Sequence, residues 1–190
     1  VDHYRDGKPS MRKDNEITGG VPGGAYPCAP GGPNDYAFIY VQPMNQDMWR
    51  DFAAAIGRED LLADPRYADA KSRWQQREAL NAAVREWTRA RTKQEVMATL
   101  GKAGVPCGAT LDTGEILDDA HLNARGQVHT IEHPTRGTIR LPGCPVRLSA
   151  SEAPTTPPPL AGQHTAEVLA EVLGLSADDV AGLRTRGVLG

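Results

Sequence analysis

The sequence has few cysteines, no excess of positive charge and no long apolar run. Three cysteines, Cys28, Cys107 and Cys144, are an odd number at wide spacings, which favours reduced thiols over a disulfide framework. A formal net charge of -3 without a long basic run is not the pattern of a nucleic-acid-binding protein. No apolar run is long enough to span a bilayer, and no secretory signal pattern is present. We therefore expect a cytoplasmic protein that binds neither nucleic acid nor membrane.

Length and composition are those of an ordinary globular protein. Hydrophobic residues make up 39% and charged residues 24% of the 190 residues. This length allows one domain, or one small domain with an appendage. The polar residues before Asn15 have no core pattern, and the chain begins with Val1, so we expect a processed or truncated product.

Glycine is concentrated near the N-terminus. Two pairs, Gly19-Gly20 and Gly23-Gly24, flank Pro22. Glycine tolerates positive φ and lets backbone N–H groups approach a ligand closely, so such a segment is typical of a loop that covers a substrate. A plain linker has the same composition. The glycines alone do not decide between these two interpretations.

The following residues predict a small sheet with packed helices. Residues 36–42 have the composition of a strand, preceded by turn residues, and we expect the first strand of the sheet here. A helix is predicted up to Gly57, a long helix over residues 72–90, and a further helix after the capping box of Thr92 and Glu95.

The C-terminal half predicts a hairpin, a strap and two helices. Residues 128–141 alternate apolar and polar residues around a turn, and residues 145–148 predict a third strand of the same antiparallel sheet. Residues 149–159 are proline-rich and should run extended. Apolar periodicity then predicts a helix, and Ser176 is a candidate N-cap for a final helix.

Several elements in this order resemble those of the family III CoA-transferases. They are the glycine segment with Cys28, the strand at residues 36–42, Gly-Val-Pro-Cys-Gly at residues 104–108 and Leu-Ala-Gly-Gln-His-Thr at residues 160–165. Family members are longer, and the sequence resembles their C-terminal part. The resemblance implies an α/β fold, more narrowly an α+β small domain. It also implies three parts of the chain. Residues 1–35 are the N-terminal segment and glycine-rich loop, residues 36–148 are the small domain, and residues 149–190 are the proline-rich strap and C-terminal helices.

The resemblance also implies a reaction, the transfer of CoA from an acyl-CoA to a small carboxylic acid. An Asp of the enzyme acts as nucleophile, and the corresponding family residue lies outside the part that this sequence resembles. We therefore assign no catalytic residue, no metal ligand and no CoA-contacting residue in this chain. The loop of Gly19, Gly20, Gly23 and Gly24 is the candidate active-site segment. No cofactor is expected to be bound covalently, since the CoA thioester is a substrate. The implied partner is a second copy of the chain, in an interlocked homodimer, or a missing N-terminal half.

The glycine segment departs from the formyl-CoA transferase pattern. That pattern has four glycines and a Gln, and Ile17, Thr18 and Val21 replace two of the glycines and the Gln. The departure weakens the expectation of oxalate and formate as substrates. It leaves a loop that closes over the active site possible.

Two other functions agree with the same residues. An α-methylacyl-CoA racemase has a similar architecture and uses an acid/base pair, and a non-catalytic dimerising domain would account for the missing nucleophile. Cys107, His121 and His164 could each carry chemistry, and Trp49 could contact a ligand. A buried thiol, helix caps and a helix anchor are the structural interpretations of these residues, and we favour them.

Overall fold

The computed structural model describes residues 20–151 and 154–189, together with Gly7 and Ile17. Its contacts divide the chain into two units, the first ending at Asp112 and the second beginning at Thr113. Among the helices that the structure describes, none combines the length and apolar character needed to cross a membrane. The sequence-based division into 1–35, 36–148 and 149–190 stays a prediction.

The first unit is a three-stranded antiparallel sheet covered by helices. Its strands are β1 (Gly23–Pro27), β2 (Tyr36–Tyr40) and β3 (Cys107–Ala109), in the order β1-β2-β3. Its helices are α1 (Gln46–Ala55), α2 (Asp60–Ala63), a 3₁₀ turn (Pro65–Tyr67), α3 (Ala70–Gln75), α4 (Arg77–Arg89) and α5 (Lys93–Lys102).

The two faces of the sheet differ because successive side chains of a strand alternate. Ala37 and Ile39 of β2 are fully buried, whereas Phe38 between them is 42% exposed. Helix α4 packs against β1, and α5 packs against β2 and β3. The core contains the following buried aliphatic side chains of these two helices: Leu80, Val84, Val96 and Leu100.

A buried guanidinium connects the segments around α1. Arg73 is 1% exposed and lies 4.9 Å over the ring of Trp49. It donates hydrogen bonds to Gln46 Oε1 at 3.1 Å and to the carbonyl of Tyr67 at 3.2 Å. A third bond reaches the carbonyl of Pro43 at 3.0 Å. Burial lowers the pKa of Arg73, so these acceptors and the ring offset the cost of removing the charge from water.

The second unit contains a β-hairpin and four helices among its described residues. Strands β4 (Val128–His133) and β5 (Gly137–Pro142) pair in register from Val128↔Pro142 to His133↔Gly137. The helices are α6 (Thr113–Asp118), α7 (Ala120–Ala124), α8 (Thr165–Leu173) and α9 (Ala177–Thr185). Residues 154–160 form neither helix nor strand.

The predicted mixed α/β class with small antiparallel sheets is confirmed, and so are the helix caps predicted at Thr92 and Ser176. Thr92 with Glu95, and Ser176 with Asp179, each form a reciprocal capping box. Such a box satisfies N–H groups that the helix itself leaves without partners.

Four details of the predicted strands, helices and sheets are wrong. The first strand is β1, not residues 36–42, so Gly23 and Gly24 belong to a strand rather than a loop. The predicted helix over residues 72–90 is two helices that meet at Gln76. Residues 145–148 form no strand, and the hairpin β4-β5 is a separate sheet rather than a continuation of the first. Strand pairing depends on distant partners, which local composition does not identify.

We expect Arg73→Ala to lower the free energy of unfolding by about 3 kcal/mol, because it removes a buried side chain and leaves backbone carbonyls without donors. Urea unfolding followed by Trp fluorescence measures the change. Arg66→Ala is the matched control, since Arg66 also lies over an aromatic ring, that of Tyr67, but is exposed. Equal urea midpoints for the two variants would contradict the importance of Arg73.

Candidate functional site

The described part of the glycine segment is buried against the first strand. Gly20, Gly23 and Gly24 are all buried, and Gly23 and Gly24 open β1. The amide of Ile17 donates to the carbonyl of Gly23 at 3.2 Å, and the amide of Gly20 donates to the carbonyl of Ile17 at 3.2 Å. Gly19 and Thr18 lie outside the described residues. The segment therefore folds back onto the start of β1.

Close approach, rather than left-handed backbone, requires the glycines here. A Cβ on Gly20 would lie 3.0 Å from Tyr40 Cε2, and a Cβ on Gly23 would lie 2.7 Å from the carbonyl oxygen of Gly20. Gly20, Gly23 and Gly24 all lack the positive φ found at other glycines, such as Gly31. Positive φ is therefore not the reason for glycine at these positions, and at Gly20 and Gly23 the physical reason is close packing.

A buried tyrosine holds the start of β1. The hydroxyl of Tyr26 donates to Asn81 Oδ1 of α4 at 2.7 Å and accepts from the amide of Gly23 at 3.2 Å. Thr88 Oγ1, also on α4, donates to the carbonyl of Pro27 at 2.8 Å. Both ends of β1 are thus tied to the same helix, which places the glycine segment on a rigid support.

Beside this segment, an apolar groove of about 610 Å³ lies along the sheet. We call it the sheet groove and define it by its lining residues: Ile17, Phe38, Tyr40, Pro106, Cys107 and Gly108. The amide of Tyr40 donates to the carbonyl of Pro106 at 2.9 Å, which continues the β2-β3 pairing and brings the two walls together. The glycine segment and the groove meet at Tyr40 and Ile17.

The thiol in this groove is not an activated nucleophile. Cys107 Sγ donates to the carbonyl of Met97 at 3.5 Å, and burial raises the pKa of the thiol above its ordinary value. A raised pKa lowers the thiolate fraction at neutral pH, which is the reverse of what a catalytic cysteine requires. Among the described residues, no group of three or more His, Cys, Asp and Glu could hold a metal ion.

The remaining candidate residues belong to the core of the first unit and to helices of the second unit. Trp49 is 3% exposed and stacks on Phe52 in the core, with ring centroids 6.0 Å apart. His121 lies in the short helix α7, and His164 Nδ1 lies 2.9 Å from Glu167 Oε2 at the start of α8. Trp49 is therefore a core anchor, as interpreted. The expected capping roles are wrong, because Asp119 rather than His121 caps α7 and because α8 begins without a side-chain cap.

The sequence alone did not indicate the sheet groove. Its one signal was the alternation in β2, which places Tyr36, Phe38 and Tyr40 on one face. Which face is covered depends on the helices, and which small residues flank the aromatic rings depends on the register with β1 and β3.

Comparison with known proteins identifies the family of this fold. Residues 1–165 match CoA-transferase family III. The chain belongs to this family. The predicted resemblance is thereby confirmed.

Two family members are formyl-CoA:oxalate CoA-transferases from Streptomyces. The protein from Streptomyces avermitilis is 39% identical over 188 residues, which cover 99% of this chain and 45% of that protein. The protein from Streptomyces coelicolor is 38% identical over 178 residues, which cover 94% of this chain and 43% of that protein. The chain thus spans less than half the length of these relatives.

A solved structure supports the same assignment. The CAIB/BAIF family protein from Brucella suis superposes with a TM-score of 0.70 at 25% sequence identity. The match covers 90% of this chain and 42% of that protein. The fold described above is therefore one part of a larger family III CoA-transferase fold.

We expect the three thiols to react with iodoacetamide in the order of their exposure. Cys144 is exposed, Cys107 is partly buried with a raised pKa, and Cys28 is buried, also with a raised pKa. Peptide mass spectrometry after labelling at pH 8 gives the order. Cys107 should react faster as the pH rises, and its rapid labelling at pH 6 would contradict the absence of an activated thiol.

We expect Tyr26→Phe to lower the free energy of unfolding by about 1–3 kcal/mol, since the amide of Gly23 loses its buried acceptor. Tyr36→Phe is the matched control, because Tyr36 lies on the partly exposed face of β2. Urea unfolding should separate the two variants. If both change stability equally, the Tyr26 hydroxyl does not hold β1.

Proposed function

We propose that the complete protein transfers CoA from an acyl-CoA to a carboxylic acid, and that this chain supplies the segment covering the reacting centre. Membership of CoA-transferase family III is the observation that carries the proposal. The relatives named above, whose described activity is CoA transfer, favour it over racemisation and over a domain without chemistry. Because the chain spans less than half of these relatives, it is not expected to be active alone.

The reaction needs a carboxylate that passes an oxygen between acids. The enzyme's carboxylate attacks the donor thioester, the C–S bond breaks, and a mixed anhydride forms. CoA thiolate then attacks the enzyme's carbonyl and releases the donor acid, which takes one oxygen of the enzyme's carboxylate with it. The acceptor reverses these steps, gaining the C–S bond and returning one oxygen to the enzyme. We assign the nucleophile to no Asp of this chain.

This chain's part in the reaction is to exclude water. Anhydrides hydrolyse readily, so the centre must be covered while the intermediate exists. Gly20 packs against Tyr40, and Gly23 packs against Gly20. Because neither residue has a side chain, the segment can lie flat beside the sheet groove. In this proposal Gly19, Gly20, Gly23 and Gly24 form the cover, with the last two as its anchor in β1.

A homodimer is part of the proposed assembly. Helix α8 exposes three apolar side chains, Val168 at 50%, Val172 at 71% and Leu173 at 63%. Apolar surface of this kind is usually covered in the functional assembly. The implied interlocked dimer would provide such cover.

Gly20→Ala in the full-length protein tests the cover. The added Cβ would lie 3.0 Å from the ring of Tyr40, so the ring or the segment must move by a few tenths of an ångström. We expect the ratio of acyl-CoA hydrolysis to CoA transfer to rise on the order of tenfold, measured from released CoA and product thioester.

Gly101→Ala is the control for this experiment, since its Cβ would meet no atom within 4 Å in the part of the chain that the structure describes. It should leave both rates as they are in the unmodified protein. Unchanged transfer and hydrolysis in Gly20→Ala, and in Gly19→Ala, would remove the segment from the mechanism.

A further inference from the structure

We infer that the sheet groove accepts the hydrocarbon chain of the acyl group, so that the transferred acids are monocarboxylates with an apolar chain rather than oxalate. The inference rests on the proposed function, because it takes the groove beside the glycine segment to face the reacting centre. It separates this chain from its relatives named above as formyl-CoA:oxalate CoA-transferases.

The aromatic ring of Phe38 in the groove has a small residue paired with it on each neighbouring strand. Phe38 of β2 is paired with Ala25 of β1 and with Gly108 of β3. Paired residues of an antiparallel sheet lie on the same face, so these three residues stand side by side. A Cβ on Gly108 would meet no atom of the described residues within 4 Å, so none of these residues fills the space beside Gly108.

The walls of the groove are apolar as well. Tyr40 and Pro106 lie at one end, and Ile17 forms a wall on the side of the glycine segment. Ile17 is 36% exposed and Phe38 is 42% exposed, so both present apolar surface to an occupant.

The uncharged lining of the groove suits a hydrocarbon and not a dianion. None of its described lining residues carries an Asp, Glu, Lys, Arg or His side chain. Oxalate has a carboxylate at each end, and the end that does not react would need a cation or donors to replace water. Each methylene that leaves water for an apolar site, by contrast, strengthens binding about fourfold.

Competition between acceptors tests the inference in the full-length protein. The assay offers oxalate, acetate, butyrate and hexanoate with propionyl-CoA as donor, and records each new thioester by mass. We expect kcat/KM to rise from acetate to hexanoate and transfer to oxalate to be the slowest.

Filling the groove should reverse this preference. Gly108→Val places a branched side chain in the empty space, and β-branched residues suit a strand such as β3. We expect kcat/KM for hexanoate to fall by at least about tenfold relative to acetate. Gly108→Ala should give a smaller change in the same direction and serves if the valine variant does not fold. Gly101→Ala is the control, and its acetate to hexanoate ratio should be that of the unmodified protein.

The outcomes distinguish a failure of this inference from a failure of the proposed CoA-transferase function. Faster transfer to oxalate than to hexanoate would overturn the inference and leave the CoA-transferase proposal intact. An unchanged acetate to hexanoate ratio in folded Gly108→Val would place the acyl chain outside the groove and would also overturn it. Absence of transfer with every acceptor tested would count against the proposed function itself.

Discussion

The position of the candidate site depends on one buried hydroxyl group. Tyr26 joins strand β1 to helix α4 through Asn81 and at the same time binds the amide of Gly23. A hydrogen bond removed from water is costly to leave unmade, so this hydroxyl strongly favours one arrangement of the strand and helix. The Gly20 to Gly23 contact, and with it the course of the glycine segment, follows from that arrangement.

Strand β2 serves the core and the groove at once. Its buried residues Ala37 and Ile39 pack under the sheet, and Phe38 and Tyr40 line the groove above it. Among the described residues of the first unit, the helices pack with Ala37 and Ile39, and Phe38 and Tyr40 lie on the opposite face. A site built on paired strands is held more rigidly than one built on a loop, which suits a role in selecting the shape of a substrate.

Two buried cations connect loops to this framework. Arg73 binds carbonyls on either side of α1, and the ammonium group of Lys93 donates to the carbonyls of Asn34 at 3.1 Å and Thr110 at 2.8 Å. The two carbonyls bound by Lys93 precede β2 and follow β3 respectively. Charged donors make strong hydrogen bonds, so the segments entering and leaving the sheet are held in place without a disulfide.

Local sequence determined most of the helices, two capping boxes and the family. Thr92 with Glu95 predicts a capping box because both partners lie within one helical turn, and the hairpin of β4 and β5 is predicted because its turn is short. The Gly-Val-Pro-Cys-Gly motif that indicates the family likewise spans only residues 104–108. In each case the decisive contacts join neighbours in the chain.

Only the tertiary structure decided the pairing of β1 with β2, the burial of Gly20 and the existence of the sheet groove. Gly23 and Gly24 have the composition of a loop, yet they form a strand because Tyr26 and Asn81, far apart in sequence, meet in the core. Glycine permits both outcomes, and the contact that chooses between them spans distant parts of the chain. The groove likewise arises where Ala25, Phe38 and Gly108 come side by side, which no single segment of the sequence encodes.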